Sequence, residues 1–350
     1  MEPEIRYCTT SDGVNIAYSV TGSGPVLLWA SDLPSSHVSL EWQAPAYGPY
    51  LEPLAAEFTL MRFDARGLGL SDRDVSDFSF DARMRDLEAV IAHGVRGRFA
   101  LMAQEFPGPM AIAYAAAHPE VISHLILLDT FARTSDFIEQ PRNKLSMELL
   151  DRDWEMFVDN RLGLAAGDSA EGVEMKAFRD FYLACVTEET DRLLRRELGS
   201  DDATQSLAAI ETPTLILHHT GTRTRPTDFA RRLAAGIRGS KLVLLDGGIV
   251  GQWPRVVSSI ASFVKGDTPV SPASAGAFRA VLFTDLVGHT EMMQRLGDER
   301  GRDVLREHEH ITRDVLKANG GTEVKTMGDG FMASFGSVTK AVECAIALQR

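Results

Sequence analysis

Cysteine is scarce: Cys8, Cys185 and Cys344 are the three in 350 residues, far apart and without Cys-x-x-Cys spacing. An odd, scattered set excludes a disulfide framework and a zinc cluster and fits a reducing compartment, so a cytoplasmic location is expected. Long apolar runs are also missing, and none approaches the about 18 residues of a spanning helix. The opening "MEPEIRYCTT" carries two acids and no apolar centre, unlike a secretory leader. Positive charge is in deficit, 36 Lys and Arg against 49 Asp and Glu, for a formal net charge of −13. A nucleic-acid backbone or an anionic bilayer would be repelled by such a surface, and no local basic patch offsets it. Neither is an expected partner. Internal repeats and low-complexity tracts are absent too.

What remains is ordinary globular composition, 44% apolar and 24% charged, in a chain long enough for two domains. From residue 14 to about 265 short apolar runs alternate with helix-period segments. "PVLLWA", "FTLMRFD", "RFALMA", "HLILLD", "TPTLILHH" and "KLVLLDG" read as strands, several of them continuous Val/Leu/Ile runs suited to a sheet buried on both faces. "DARMRDLEAVIAHG" and "GPMAIAYAAAHPE" read as the helices between them. This is a doubly wound α/β plan. Residues 132–208, with charges at helical spacing and little strand character, are expected to form a helical lid; 266–276, "DTPVSPASAG" and its flank, is linker chemistry. The expected division is 1–265, linker, and 277–350.

"FDARGLGLSDR", "YAAAHPEVISHLILLDT" and "PTLILHHTGTRTRP" resemble successive landmarks of the α/β-hydrolase family, in order and over about 250 residues. That family sets a serine on a strained strand-to-helix turn, followed in chain order by an acid and a histidine. Here the turn is Ala103, Gln104, Glu105, Phe106, Pro107, so Glu105 takes the nucleophile position. Thr222 stands at the acid position, and Val250 falls at the histidine position, counting back from Trp253. With all three exchanged, no group is left to generate a nucleophile, orient an imidazole or take a proton. The expectation is a catalytically dead module that senses a small apolar ligand or dimerises. Two alternatives stay open: an esterase-like hydrolase with Glu105 as a carboxylate nucleophile, and a non-enzymatic ligand-binding protein. His118, His218 and His219 are read as polar residues satisfied locally, and Asp64 and Arg66 as braces of a turn.

After the linker, "RAVLFTD" reads as a strand ending at Asp285, and "TEVKTMGDGFMASF" as a hairpin with Asp329 between two glycines that free the turn. Two carboxylates brought together at adjacent strand ends make an oxygen site for Mg²⁺ or Mn²⁺, hard cations that also hold substrate phosphates. "FTDLVGHT", "LGD" and "NGGTEVKTMGDGFMASF" resemble the first half of the class III adenylate/guanylate cyclase catalytic domain, an α+β ferredoxin-like fold. The resemblance implies two metals bridging Asp285 and Asp329, with the Leu286 backbone carbonyl completing the set. It implies Lys325 as the purine reader, favouring ATP over GTP because an ammonium repels the N–H that guanine presents. The implied chemistry is ATP to cyclic AMP and pyrophosphate by two-metal catalysis at the interface of a homodimer. Domains of this class are longer than 277–350, so the chain is expected to be a truncated form, silent alone, within a signalling protein.

Overall fold

The computed structural model describes residues 3–30, 33–44, 48–166, 175–222, 224–248, 252–266, 280–286, 288–327, 330–335 and 338–349. The chain divides into two compact units, Met1–Asp267 and Thr268–Arg350. No helix among the described residues is long and apolar enough to cross a membrane.

The first unit is built on a mixed sheet of β1 (Glu4–Thr9), β2 (Asn15–Thr21), β3 (Val26–Ala30), β4 (Thr59–Phe63), β5 (Phe99–Gln104), β6 (Ile122–Leu128), β7 (Thr214–His219) and β8 (Lys241–Leu245). Their spatial order is β1-β2-β4-β3-β5-β6-β7-β8. The β1/β2 and β2/β4 pairs are antiparallel and every later pair is parallel. Parallel strands need crossovers, and the chain supplies helices: α1 (Gly48–Glu57), α2 (Phe80–Gly94) and α3 (Gly108–Ala117) precede β6. The connection from β6 to β7 carries α4 (Thr134–Ile138), α5 (Pro141–Arg152), α6 (Trp154–Ala166), α7 (Met175–Cys185) and α8 (Glu188–Leu198); α9 (Asp228–Gly236) and α10 (Trp253–Lys265) follow β7 and β8.

Local chemistry explains the boundaries. Ser79 caps α2 by accepting from the Ala82 N–H at 3.3 Å, and Thr187 caps α8 by accepting from the Thr190 N–H at 3.2 Å. In α8, acids fill the first turn and arginines the last, complementing the helix dipole. Every residue of "FALMAQ" in β5 is buried, as a central strand covered on both faces requires.

Several buried arginines of this unit are paired with carboxylates. Arg62 meets Glu41 at 2.6 Å and lies over the Trp29 ring at 3.9 Å, and Arg83 meets Asp201 at 2.6 Å, tying α2 to the chain just after α8. Arg66 reaches Asp86 at 2.8 Å and Asp12 at 2.9 Å. Asp64 accepts from Ser36 Oγ at 2.6 Å and from the Val38 and Leu70 N–H groups, each at 2.9 Å. A Cβ at position 69 would stand 2.2 Å from that carboxylate, so the turn after β4 needs glycine there. Asp64 and Arg66 are braces.

The second unit holds β9 (Ala280–Thr284), α11 (His289–Ala318), β10 (Thr322–Met327), β11 (Gly330–Phe335) and α12 (Val338–Leu348). The antiparallel sheet runs β10-β11-β9, and α11 is two helical runs joined by a non-helical Gly297. Alternate β11 residues Phe331, Ala333 and Phe335 pack with Leu316, Ala341 and Cys344 into a small core. The period of two leaves Val281 and Phe283 of β9 exposed, Phe283 by 61%.

Candidate functional site

In the first unit β5 delivers Glu105 at the turn into α3, with φ of 58°, a left-handed conformation a side chain seldom adopts. The turn is held by backbone: Glu105 N–H donates to the Leu128 carbonyl at 3.3 Å and Gly108 N–H to the Glu105 carbonyl at 3.1 Å. Thr130 Oγ1 donates to the same Glu105 carbonyl, and a Cβ on Gly108 would come within 1.8 Å of that hydroxyl. Close approach of helix and strand therefore requires Gly108. The turn holds Glu105 in a left-handed backbone conformation and presents a carboxylate there.

That carboxylate is committed. Glu105 forms a buried ion pair with Arg225, their side chains 7% and 3% exposed. Thr222 Oγ1 lies 3.1 Å from both the His219 and the Arg225 carbonyl oxygens, so its hydroxyl fastens the loop after β7. Val250 lies outside the described residues.

Beside this pair stands a second one that strand pattern alone did not show. Asp129, at the end of β6 with φ of 48°, accepts from the His219 N–H at 2.8 Å and meets His219 Nδ1 at 2.6 Å. His218 Nδ1 is 3.5 Å from the same carboxyl, and burial pushes the His218 imidazole below its ordinary value. Both rings are buried; His219 Nε2 has no hydrogen-bond partner among the described residues. Local satisfaction holds for one nitrogen of His219. The readable signal was an acid closing "HLILLD" and a histidine pair closing "TLILHH", strands that neighbour each other in the sheet.

In the second unit β9 ends at Thr284, which pairs with Phe331, and the exposed Asp285 follows it. The Phe331 N–H donates to Thr284 Oγ1 at 3.2 Å. This register sets Asp285 beside the start of β11, where the hairpin returns. Asp329 lies outside the described residues. The Leu286 carbonyl accepts from the His289 N–H at 3.3 Å, in the turn that Gly288, with φ of 76°, opens into α11. Lys325 is exposed on β10 and pairs with Met332, which on its other side pairs with Phe283. It thus sits two strand spacings from β9, about 10 Å. The described residues bring Asp285 and Leu286 together by chain continuity and keep Lys325 apart from them. No described cluster of three or more His, Cys, Asp or Glu side chains is arranged to hold a metal.

Residues 34–253 match the family model for the alpha/beta hydrolase fold, more than half of the chain. The chain belongs to that family. Residues 278–349, after the hydrolase-fold unit, match the model of the adenylate and guanylate cyclase catalytic domain. The chain is 29% identical over 250 residues to the AB hydrolase superfamily protein YisY of Bacillus subtilis, covering 68% of this chain and 89% of that protein. It is 37% identical over 78 residues to an adenylate cyclase of Podospora anserina, covering 22% of this chain and 4% of that protein. Among solved structures, a thermophilic esterase from Thermogutta terrifontis superposes with a TM-score of 0.63 at 22% identity, covering 75% of this chain and 98% of that one. The enol-lactonase from Burkholderia xenovorans gives 0.62 at 19%, covering 74% and 100%. At such identity these two speak for the fold of the hydrolase-fold unit.

Proposed function

We propose that this is a signalling protein whose second unit is a class III nucleotide cyclase module acting on ATP, and whose hydrolase-fold unit is a non-hydrolytic sensory or dimerising module. The observation that carries the first half is the Thr284–Phe331 register, which sets Asp285 at the mouth of the "KTMGDGF" hairpin. The match over 278–349 and the likeness to the Podospora anserina adenylate cyclase support the same reading.

The donor chemistry fits a hard divalent cation. Asp285 is exposed and has no counter-ion among the described residues, and the Leu286 carbonyl has a second lone pair beyond its bond to His289. Asp285, the Leu286 carbonyl and Asp329 would hold Mg²⁺ or Mn²⁺, which supplies charge neutralisation on the triphosphate when bound. The remaining work belongs to positioning: the first turn of α11, past the His289 N–H that Leu286 takes, would offer backbone N–H groups to phosphate oxygens. Lys325 would donate to adenine N1, and its distance from β9 suits a site completed by a second copy of the chain. The reaction this reading implies is attack of the ribose 3′-hydroxyl on the α-phosphorus, with loss of its proton and departure of pyrophosphate, forming cyclic AMP.

For the hydrolase-fold unit, the Glu105–Arg225 ion pair supports loss of hydrolysis. A carboxylate held by a buried guanidinium is a poor nucleophile, because attack would spend the negative charge that the ion pair stabilises. Calorimetric titration of the chain with Mg·ATP and Mg·GTP tests the nucleotide reading. ATP is expected to bind more tightly, Lys325→Glu to erase the preference, and Asp285→Asn to weaken both nucleotides. Equal affinity for both nucleotides in all three proteins would sink it.

A further inference from the structure

Two histidines crowd one carboxylate at the ends of β6 and β7. His219 engages both oxygens of Asp129, Oδ1 through its backbone N–H at 2.8 Å and Oδ2 through its Nδ1 at 2.6 Å. His218 Nδ1 stands 3.5 Å from Oδ1, beyond normal hydrogen-bond length, and neither of its ring nitrogens is hydrogen-bonded among the described residues. The ring is fully buried. The chain that follows β7 packs against it, with the Arg225 backbone beside the imidazole. This loop is fastened by Thr222 Oγ1, by Asn143 Nδ2 donating to the Thr224 carbonyl at 3.1 Å, and by the ion pair of Arg225 with Glu105. At its start, the N–H groups of Thr220 and Gly221 donate to the Leu245 and Gly247 carbonyls at 2.9 and 2.8 Å.

We propose that His218 makes the loop after β7 a proton-operated latch: as the solution turns acidic the loop opens, His218 takes a proton from solvent, and Arg225 leaves Glu105. A neutral imidazole is tolerated in this site. An imidazolium is not, because the carboxylate it faces is already engaged by His219 and water is excluded. The charged and titratable groups around it are Asp129 from β6, His219 beside it on β7, and Arg225 from the loop, whose guanidinium is matched to Glu105 of the β5–α3 turn. Burial, joined by His219, works against a second ring proton and outweighs Asp129 and the Arg225 backbone, so the imidazole sits below its ordinary 6.5. The sign follows. Below 6.5 the open form holds a proton that the closed form refuses, so closure is most stable above that value and weakens as pH falls. The loop yields before the sheet because Thr220 and Gly221 are exposed, whereas every residue of β7 is buried. The latch does not depend on the cyclase reading, because what it asserts is proton uptake within the first unit.

Amide hydrogen exchange of the full chain tests it, read as protection factors so that the pH dependence of free-chain exchange divides out. Between pH 7.5 and pH 5.5 the protection of the Thr220 and Gly221 amides should fall about tenfold, the limit for one imidazole of ordinary value 6.5 that stays neutral while the loop is closed. Amides of β5 should keep theirs. His218→Leu, which removes the base and leaves an apolar side chain in an apolar strand, should make the Thr220 and Gly221 protection independent of pH over the same range. Protection at these two amides that does not change with pH in the native chain, an equal loss throughout β5, or a tenfold loss that persists in a folded His218→Leu variant would each overturn the proposal. Should His218→Leu fail to fold, nitrogen-15 NMR of the native imidazoles decides the matter. His218 should remain neutral at pH 5.5 in the closed protein; a His218 ring that titrates near 6.5 while Thr220 and Gly221 stay protected would overturn the latch.

Discussion

Replacing Glu105 by alanine is the sharpest perturbation of the hydrolase-fold unit. It strips the carboxylate from an ion pair whose members are 7% and 3% exposed and takes that counter-charge from the buried Arg225 guanidinium. Breaking a buried pair from one side costs about 3–5 kcal/mol. The backbone adds a second, separable term: at φ of 58° a side chain costs roughly 1–2 kcal/mol that glycine avoids, less the roughly 0.5–1 kcal/mol of extra chain entropy glycine loses. Glu105→Gly should therefore be more stable than Glu105→Ala by up to about 1.5 kcal/mol. The double change Glu105→Leu, Arg225→Met removes both charges and should lie within about 1–2 kcal/mol of the native protein. Urea unfolding followed by tryptophan fluorescence reads this cleanly, because Trp29, Trp42, Trp154 and Trp253 all belong to the first unit. With a slope of about 3 kcal/mol per molar urea, Glu105→Ala should lower the midpoint by roughly 1–1.7 M. A shift below about 0.3 M, on the same slope, or a double variant less stable than Glu105→Ala, would refute a charge-paired elbow.

Gly108→Ala should destabilise the first unit by about 1–3 kcal/mol in the same assay through its clash with Thr130, and Thr130→Gly should rescue much of the loss. Hydrogen bonds from Arg66 hold the Asp12 carboxyl well below its ordinary 3.8, so its stabilisation is complete above that value and disappears as pH falls through the lower folded-state pKa. Asp12→Asn should accordingly reduce the loss of stability measured between pH 4 and more acidic solutions, and an unchanged acid limb would contradict the pairing. Short-chain p-nitrophenyl esters should show no turnover above buffer; turnover abolished by Glu105→Ala would restore the hydrolase reading.

Periodicity carried most of the sheet. "PVLLWA", "RFALMA" and "HLILLD" are central strands buried on both faces, and continuous apolar runs announce that environment. β1 was harder to see because only Cys8 of "EIRYCT" is buried, leaving no clear alternation to read on an edge strand. Glu105, Thr222 and Val250 were assigned to the triad positions from chain order and strand ends alone. The pairings at this end of the sheet were not legible: Glu105 and Arg225 are 120 positions apart in the chain, and Asp129 and His219 meet only because β6 and β7 are neighbours with Leu128 opposite Leu217. Long-range pairing of this kind leaves no local pattern. In the second unit, Asp285 at a strand end was legible, whereas the irregularity between Glu323 and Lys325, which sets the register of Lys325 against Met332, depends on the pairing of two strands.

The proposed cyclase chemistry depends most on Asp285 acting beside a triphosphate as a metal ligand. Electron paramagnetic resonance of Mn²⁺ added to the chain with ATP measures this directly, since bound and free ion give distinct signals. Native protein should capture Mn²⁺ in the presence of ATP, and Asp285→Asn and Asp329→Asn should each release it, while Glu105→Gln leaves the signal as it was. Capture that survives both aspartate substitutions would contradict the cyclase assignment.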